Sequence, residues 1–230
     1  MIDSLALAPD FHVPFDLPGA LAVEDFIGRR DELERLWQHL QPEIKGYRKV
    51  AILHGLGGIG KTQLAIRFAR EHKEHFTSIL WLSGNNQETL LRSLSLALSR
   101  IPGQSSKSAA KNDQELEQNA KQVLRWLSSA GNSRWLVVLD NIDQYSPGIN
   151  DGYDIGNFLP TADHGSILIT SRLQSITELG RSFPLGGLDF EDAIALLWQS
   201  RHLPIPDTST KQDPGNYLSS TCICKSTDQC

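Results

Sequence analysis

Cysteine is nearly missing from this sequence. The three present, Cys222, Cys224 and Cys230, fall at the very end. Their odd number, with no histidine nearby, supports neither a disulfide framework nor a four-ligand zinc site. A cysteine-free body fits a reducing compartment. Positive charge is also scarce: 22 Lys plus Arg stand against 27 Asp plus Glu, a net charge of −5. That balance argues against a general grip on nucleic acid, which needs a basic face. The densest basic cluster, Lys45, Arg48 and Lys49, reads as a solvated loop before a strand. No apolar run approaches the roughly 20 residues of a membrane span. The start, MIDSLALAPDFHVPFDLPGA, lacks the basic opening and apolar stretch of a secretory signal. A cytoplasmic protein with no membrane partner is the expectation.

What is present is an alternation of apolar strands and amphipathic helices. VAILH (50–54), SILWLS (78–83), RWLVVLD (134–140) and GSILIT (165–170) are short apolar runs without in–out alternation, as in strands buried on both faces. RSFPLGG (181–187) is a weaker fifth strand, and Pro184 puts it at a sheet edge because proline cannot donate to a ladder. Between them, periodic apolar positions predict helices over 28–40, 61–72, 86–100 and 113–128, with Asn86 as one N-cap. Leu188 and Asp189 predict the staple and cap of another helix, reaching about Gln199. The expected fold is α/β: a five-stranded, mostly parallel sheet with helices on both faces, followed by an irregular C-terminal tail. The expected organisation is an extended lead-in over 1–23, a nucleotide-binding α/β domain over 24–187, the start of a helical lid over 188–202, and a patternless tail over 203–230.

The junction ILHGLGGIGKTQLAIRFA (52–69) carries the clearest chemistry. Gly55, Leu56, Gly57, Gly58, Ile59, Gly60, Lys61 and Thr62 match GxxxxGK[ST], the phosphate-binding loop. Its glycines let successive N–H groups converge, with no Cβ in the way of a phosphate. The helix that follows adds its positive N-terminal dipole. Lys61 supplies a cation for β- and γ-phosphates, and Thr62 a hydroxyl for Mg²⁺. A strand directly before and an amphipathic helix directly after are the context such a loop requires. These features define a candidate P-loop NTPase.

WLVVLDNID (135–143) supplies the metal partner, Asp140, at the C-terminal edge of a buried strand, where α/β sheets bind ligands. The next residue is Asn141, which cannot serve as a base. Asp143 could substitute for one or merely cap a turn, and the second reading is preferred. Arg172, closing ILITSR (167–172), can place positive charge at a γ-phosphate, or can simply open the following helix. Lys61, Asp140 and Arg172 are therefore the candidate catalytic groups, and Thr62 and Asp140 the candidate metal ligands.

FIGRRDELERL, LHGLGGIGKTQLA, WLVVLDNID, GSILITSR and LGGLDFEDAIALL stand in the order and spacing of the NB-ARC domain. The chain resembles that module of the STAND signalling ATPases over about residues 24–200, most closely in fungal NOD-like receptors, as in TADHGSILIT. The resemblance implies a switch that rests with ADP, exchanges it for ATP after a signal, self-associates, and hydrolyses slowly. It also implies Phe26, Ile27 and Arg29 near the adenine and ribose and Gly55 to Gln63 around the phosphates, although Phe26 and Ile27 also suit plain packing of a strand end. The pattern departs from the family after about residue 203: no Gly-Leu-Pro-Leu segment or winged-helix histidine follows. A truncated or misread reading frame is the expectation there.

Three functions are thus open. One is an ADP/ATP-binding switch core with Mg²⁺, partnered by itself or a full-length receptor in innate immunity. The second is an active AAA+-like ATPase working on nucleic acid or protein, which Asn141 and the negative charge oppose. The third is a truncated, non-hydrolysing fragment that binds partners.

Overall fold

The computed structural model describes residues 11–17, 26–43, 47–103, 110, 112–148 and 153–200. The expectations for residues 1–10 and 18–23 of the lead-in, for Lys45, and for the tail with its three cysteines lie outside the described residues.

Five strands form one sheet: β1 (Lys49–His54), β2 (Ser78–Ser83), β3 (Trp135–Asp140), β4 (Ser166–Ser171) and β5 (Arg181–Pro184). Their spatial order is β2-β3-β4-β1-β5 and every pairing is parallel. The helices are α1 (Arg30–Leu40), α2 (Lys61–His72), α3 (Gln87–Leu98), α4 (Asp113–Leu127) and α5 (Phe190–Ser200). No helix among the described residues is long and apolar enough to cross a membrane.

Successive strand residues point to opposite faces, so each apolar strand feeds two cores. Ile52, Leu80, Leu82, Val137, Leu139, Ile167 and Ile169 meet Leu90, Leu94 and Val123 of α3 and α4 on one face. Ala51, Leu53, Ile79, Leu136, Val138 and Leu168 meet Leu36 of α1 and Leu64 and Phe68 of α2 on the other. This is why the strands read as unbroken apolar runs. At the β2 edge, Val13 is buried and donates its N–H to Thr77 O at 2.9 Å.

Several boundaries differ from the sequence expectation, each for a local reason. α1 starts at Arg30 rather than Gly28 because Gly28 and Arg29 both take left-handed φ values, 71° and 65°. β5 stops at Pro184, beyond which the chain turns to the phosphate-binding loop. Leu91 of α3 and Leu124 of α4 are only partly buried, while Trp126 is buried beneath Phe11. Gly165 opens β4 with φ 81°, and a Cβ there would come within 2.2 Å of the Trp135 indole.

By contacts the chain divides after Leu188. In the second unit, Asp189 caps α5 by accepting the Asp192 N–H at 2.8 Å.

Candidate functional site

The loop between β1 and α2 is shaped by three glycines with positive φ: Gly55 (151°), Gly58 (76°) and Gly60 (100°). A Cβ on Gly55 would lie 2.6 Å from Leu185 O. Leu185 itself is tied back by its N–H to His54 O at 2.8 Å. Cβ atoms on Gly58 and Gly60 would meet nothing within 4 Å, so these positions border open space. α2 begins at Lys61 with no side-chain cap, its N-terminal dipole directed at the loop. An open hollow of about 250 Å³ lies between Gly58–Gln63 and Asn141, Thr170 and Arg172.

Lys61 reaches back inside its own loop, its Nζ donating to Gly55 O and Leu56 O at 2.9 Å each. The residue is 8% exposed. Burial holds the ammonium below the usual lysine range, with Arg172 adding to the effect and the Asp143 and Asp140 carboxylates opposing it. A buried ammonium resting on two carbonyl dipoles of a largely exposed loop is arranged to accept an anion.

Parallel pairing of β3 with β4 continues to Leu139–Ile169, which brings Asp140 beside Thr170. Asp140 Oδ1 accepts from Thr170 Oγ1 at 2.6 Å and from Thr62 Oγ1 at 2.8 Å. Thr170 Oγ1 in turn accepts the Asn141 N–H at 2.9 Å. The loop hydroxyl and the strand-end carboxylate are therefore brought together. Asn141 takes φ 64° and donates from its side chain to Asn85 Oδ1 at 2.6 Å. Asp143 Oδ1 accepts the Arg172 N–H at 2.9 Å, and Oδ2 pairs with the Arg172 Nε at 3.0 Å. Arg172 lies over the loop, its guanidinium carbon 3.5 Å from where Gly57 would carry a Cβ.

Arg29 is buried and committed to the backbone. Its guanidinium donates to Gly186 O at 2.7 Å and to Ile59 O at 3.4 Å, and pairs with Glu32 at 3.0 Å. It thereby ties the phosphate-binding loop to the segment after β5. Phe26 is partly buried against the α1–α2 core, and Ile27 is half-buried.

Two site residues have roles that no local motif assigns. Thr170 is a polar end to an apolar strand, but its contact with Asp140 depends on β3 and β4 being neighbours. Asn85 reaches Asn141 only because β2 flanks β3.

The NB-ARC domain family model matches residues 29–185, well over half of the chain. This chain belongs to the NB-ARC family. The NB-ARC chain is 30% identical over 188 residues to a nucleotide-binding leucine-rich repeat (NLR)-like protein of Hyaloscypha variabilis, covering 75% of this chain and 18% of that one. It thus spans under a fifth of that relative's length. Among solved structures it is similar to Cdc6p from Pyrobaculum aerophilum, with a TM-score of 0.53 and 12% identity over 81% of this chain and 54% of that one. It is also similar to the Aeropyrum pernix ORC1 protein, solved in complex with DNA, with a TM-score of 0.51 and 17% identity over 78% and 50% of the two chains. These likenesses establish the α/β fold alone.

The residues of this NB-ARC site fit a nucleotide. Unblocked positions at Gly58 and Gly60, a buried ammonium at Lys61, and a hydroxyl–carboxylate pair at Thr62 and Asp140 are the donors a magnesium-bound phosphate chain requires. Among the described residues no group of three or more His, Cys, Asp and Glu could hold a metal ion. Most ligands of a cation at Asp140 would come from phosphate and water, the usual habit of Mg²⁺.

Proposed function

We propose that this chain is the ADP/ATP-binding switch core of an NLR-like signalling protein, with at most slow ATP hydrolysis. The observation that carries the reading is the 2.8 Å hydrogen bond from Thr62 Oγ1 to Asp140 Oδ1 beside a lysine held inside a glycine loop. Gly55 to Gln63 would hold the phosphates, Lys61 would neutralise them, and Thr62 and Asp140 would hold Mg²⁺. The metal supplies charge stabilisation for the β- and γ-phosphate oxygens. Arg172 would sense the γ-phosphate. Phe26 and Ile27 would lie near the base, and Arg29 would act beside them by holding the loop to Gly186.

Slow turnover follows from Asn141, an amide where a base would need a carboxylate. Its side chain is engaged with Asn85. Self-association or pairing with a full-length receptor, a cytoplasmic setting and a role in innate immunity accompany this reading.

Calorimetric titration tests it. The protein is expected to bind ADP with micromolar or better affinity, and Lys61→Ala to abolish binding; equal binding by the variant would defeat the assignment. Steady-state hydrolysis is expected far below the ~10 s⁻¹ median of enzymes. A fast, DNA-stimulated rate would favour an AAA+-like ATPase instead.

A further inference from the structure

Asp143 lies outside the phosphate-binding loop and outside the Thr62–Asp140 pair, yet it is the carboxylate that holds the cation across the hollow. Both of its oxygens are spent on one residue: Oδ1 on the Arg172 N–H at 2.9 Å and Oδ2 on the Arg172 Nε at 3.0 Å. The first contact anchors the backbone at the end of β4, and the second holds the guanidinium. That guanidinium lies over Gly57 and lines the same hollow as Lys61 and Thr62. The arginine side chain is 61% exposed whereas the aspartate side chain is 24% exposed, so the carboxylate is the fixed partner and the arginine the one able to leave. Asp143 is also foremost among the charges that oppose burial at Lys61.

We propose that Asp143 is a positioning residue that competes with the γ-phosphate of a nucleoside triphosphate for Arg172. The inference rests on the nucleotide-site reading above. With a diphosphate, Arg172 stays on Asp143. A triphosphate brings a third phosphate group to the hollow, and the guanidinium exchanges one anion for the other while its backbone N–H stays on Oδ1. Asp143 thus sets the preference of the site for diphosphate over triphosphate. This use of the residue differs from that of a base: no proton moves, and the carboxylate acts only through Arg172.

The test is a double-mutant cycle on the full chain, read as the ratio of the dissociation constants of ADP and a non-hydrolysable ATP analogue. Asp143→Asn retains an acceptor for the Arg172 N–H and removes the charge that holds the side chain. It is expected to shift the ratio toward the triphosphate by roughly three- to fivefold, the span of a partly exposed ion pair. In an Arg172→Ala background the same substitution is expected to leave the ratio unchanged. An unchanged ratio in D143N, or an equal shift in both backgrounds, would overturn the proposal, the latter by reducing Asp143 to a through-space charge on the site. D143S is measured in parallel, and either folded variant suffices. Loss of the cooperative thermal transition in both would overturn the proposal by making Asp143 a purely structural residue. Failure of the parent protein to bind either nucleotide would instead sink the nucleotide-site reading, so the two failures are distinguishable.

Discussion

Thr170 shows how much a single hydroxyl can carry in this site. Its Oγ1 donates to Asp140 Oδ1 and accepts the Asn141 N–H, and the residue is 1% exposed. Valine has nearly the same shape without either capacity, so Thr170→Val leaves a carboxylate with one donor fewer and a backbone N–H without its acceptor. The expected loss of stability is about 1–3 kcal/mol, measured by chemical denaturation. Because the hydroxyl orients a carboxylate proposed to hold Mg²⁺, the gain in nucleotide affinity on adding Mg²⁺ is expected to shrink by roughly tenfold. Titrations with and without Mg²⁺ read this directly, and an unchanged magnesium effect would exclude Thr170 from metal positioning.

At the level of elements, the packing of α1 on α2 and the sheet contains two half-buried histidines. His72 of α2 stacks on Trp37 of α1 with ring centroids 4.1 Å apart and planes at 11°. His39, near the end of α1, contacts Val50 O at 3.1 Å. Burial depresses both imidazoles below the ordinary histidine value of 6.5. At His39 the Val50 carbonyl offsets this, while Arg181 and Lys49 add to it. At His72, Glu71 and Glu34 oppose the shift and His75 reinforces it. The unfolded chain therefore takes up these protons first as pH falls, so stability rises with pH across this window. It declines as pH drops through the unfolded value of 6.5 toward the lower folded values. The melting temperature is expected to fall between about pH 7.5 and 5.5. His72→Phe, which retains the stack on Trp37 and removes the titrating group, is expected to flatten part of that slope. An unaltered slope would place the proton-sensitive packing elsewhere.

The same elements show why boundaries and side-chain roles differ in legibility. α2, β2 and the Asn86 cap of α3 could be read directly, because periodicity and capping are short-range properties. The start of α1 could not, since the left-handed Arg29 is held by Gly186 and Ile59, which are distant in sequence. Of the candidate site residues, the loop and Asp140 stand where a local motif puts them. The working contact of Arg29 depends on the segment after β5, which approaches the loop only once β5 pairs with β1.

For the whole molecule, ligand and fold are linked by mass action. Anything that binds the assembled loop but not the unfolded chain stabilises the fold, by about 2.7 kcal/mol at a ligand concentration 100 times Kd. For a chain of this size that is roughly 5–10 °C in melting temperature. Thermal scans with and without ADP are expected to show this rise in the parent protein and none in Lys61→Ala. A rise of equal size in the variant would mean that ADP stabilises the chain from some other place.

Short-range information was enough for the strand–loop–helix unit from Lys49 to His72, because hydrophobic period, glycine placement and helix dipole all act within a few residues. It was also enough for the class of fold, since apolar strands without alternation need cover on both sides. Strand order was beyond its reach. That order, β2-β3-β4-β1-β5, puts Thr170 against Asp140, Asn85 against Asn141 and Gly186 against Arg29. Those contacts exist because two long apolar surfaces bury best in one particular stacking of the chain, a choice made by the packing of the whole sheet and carried by no single segment.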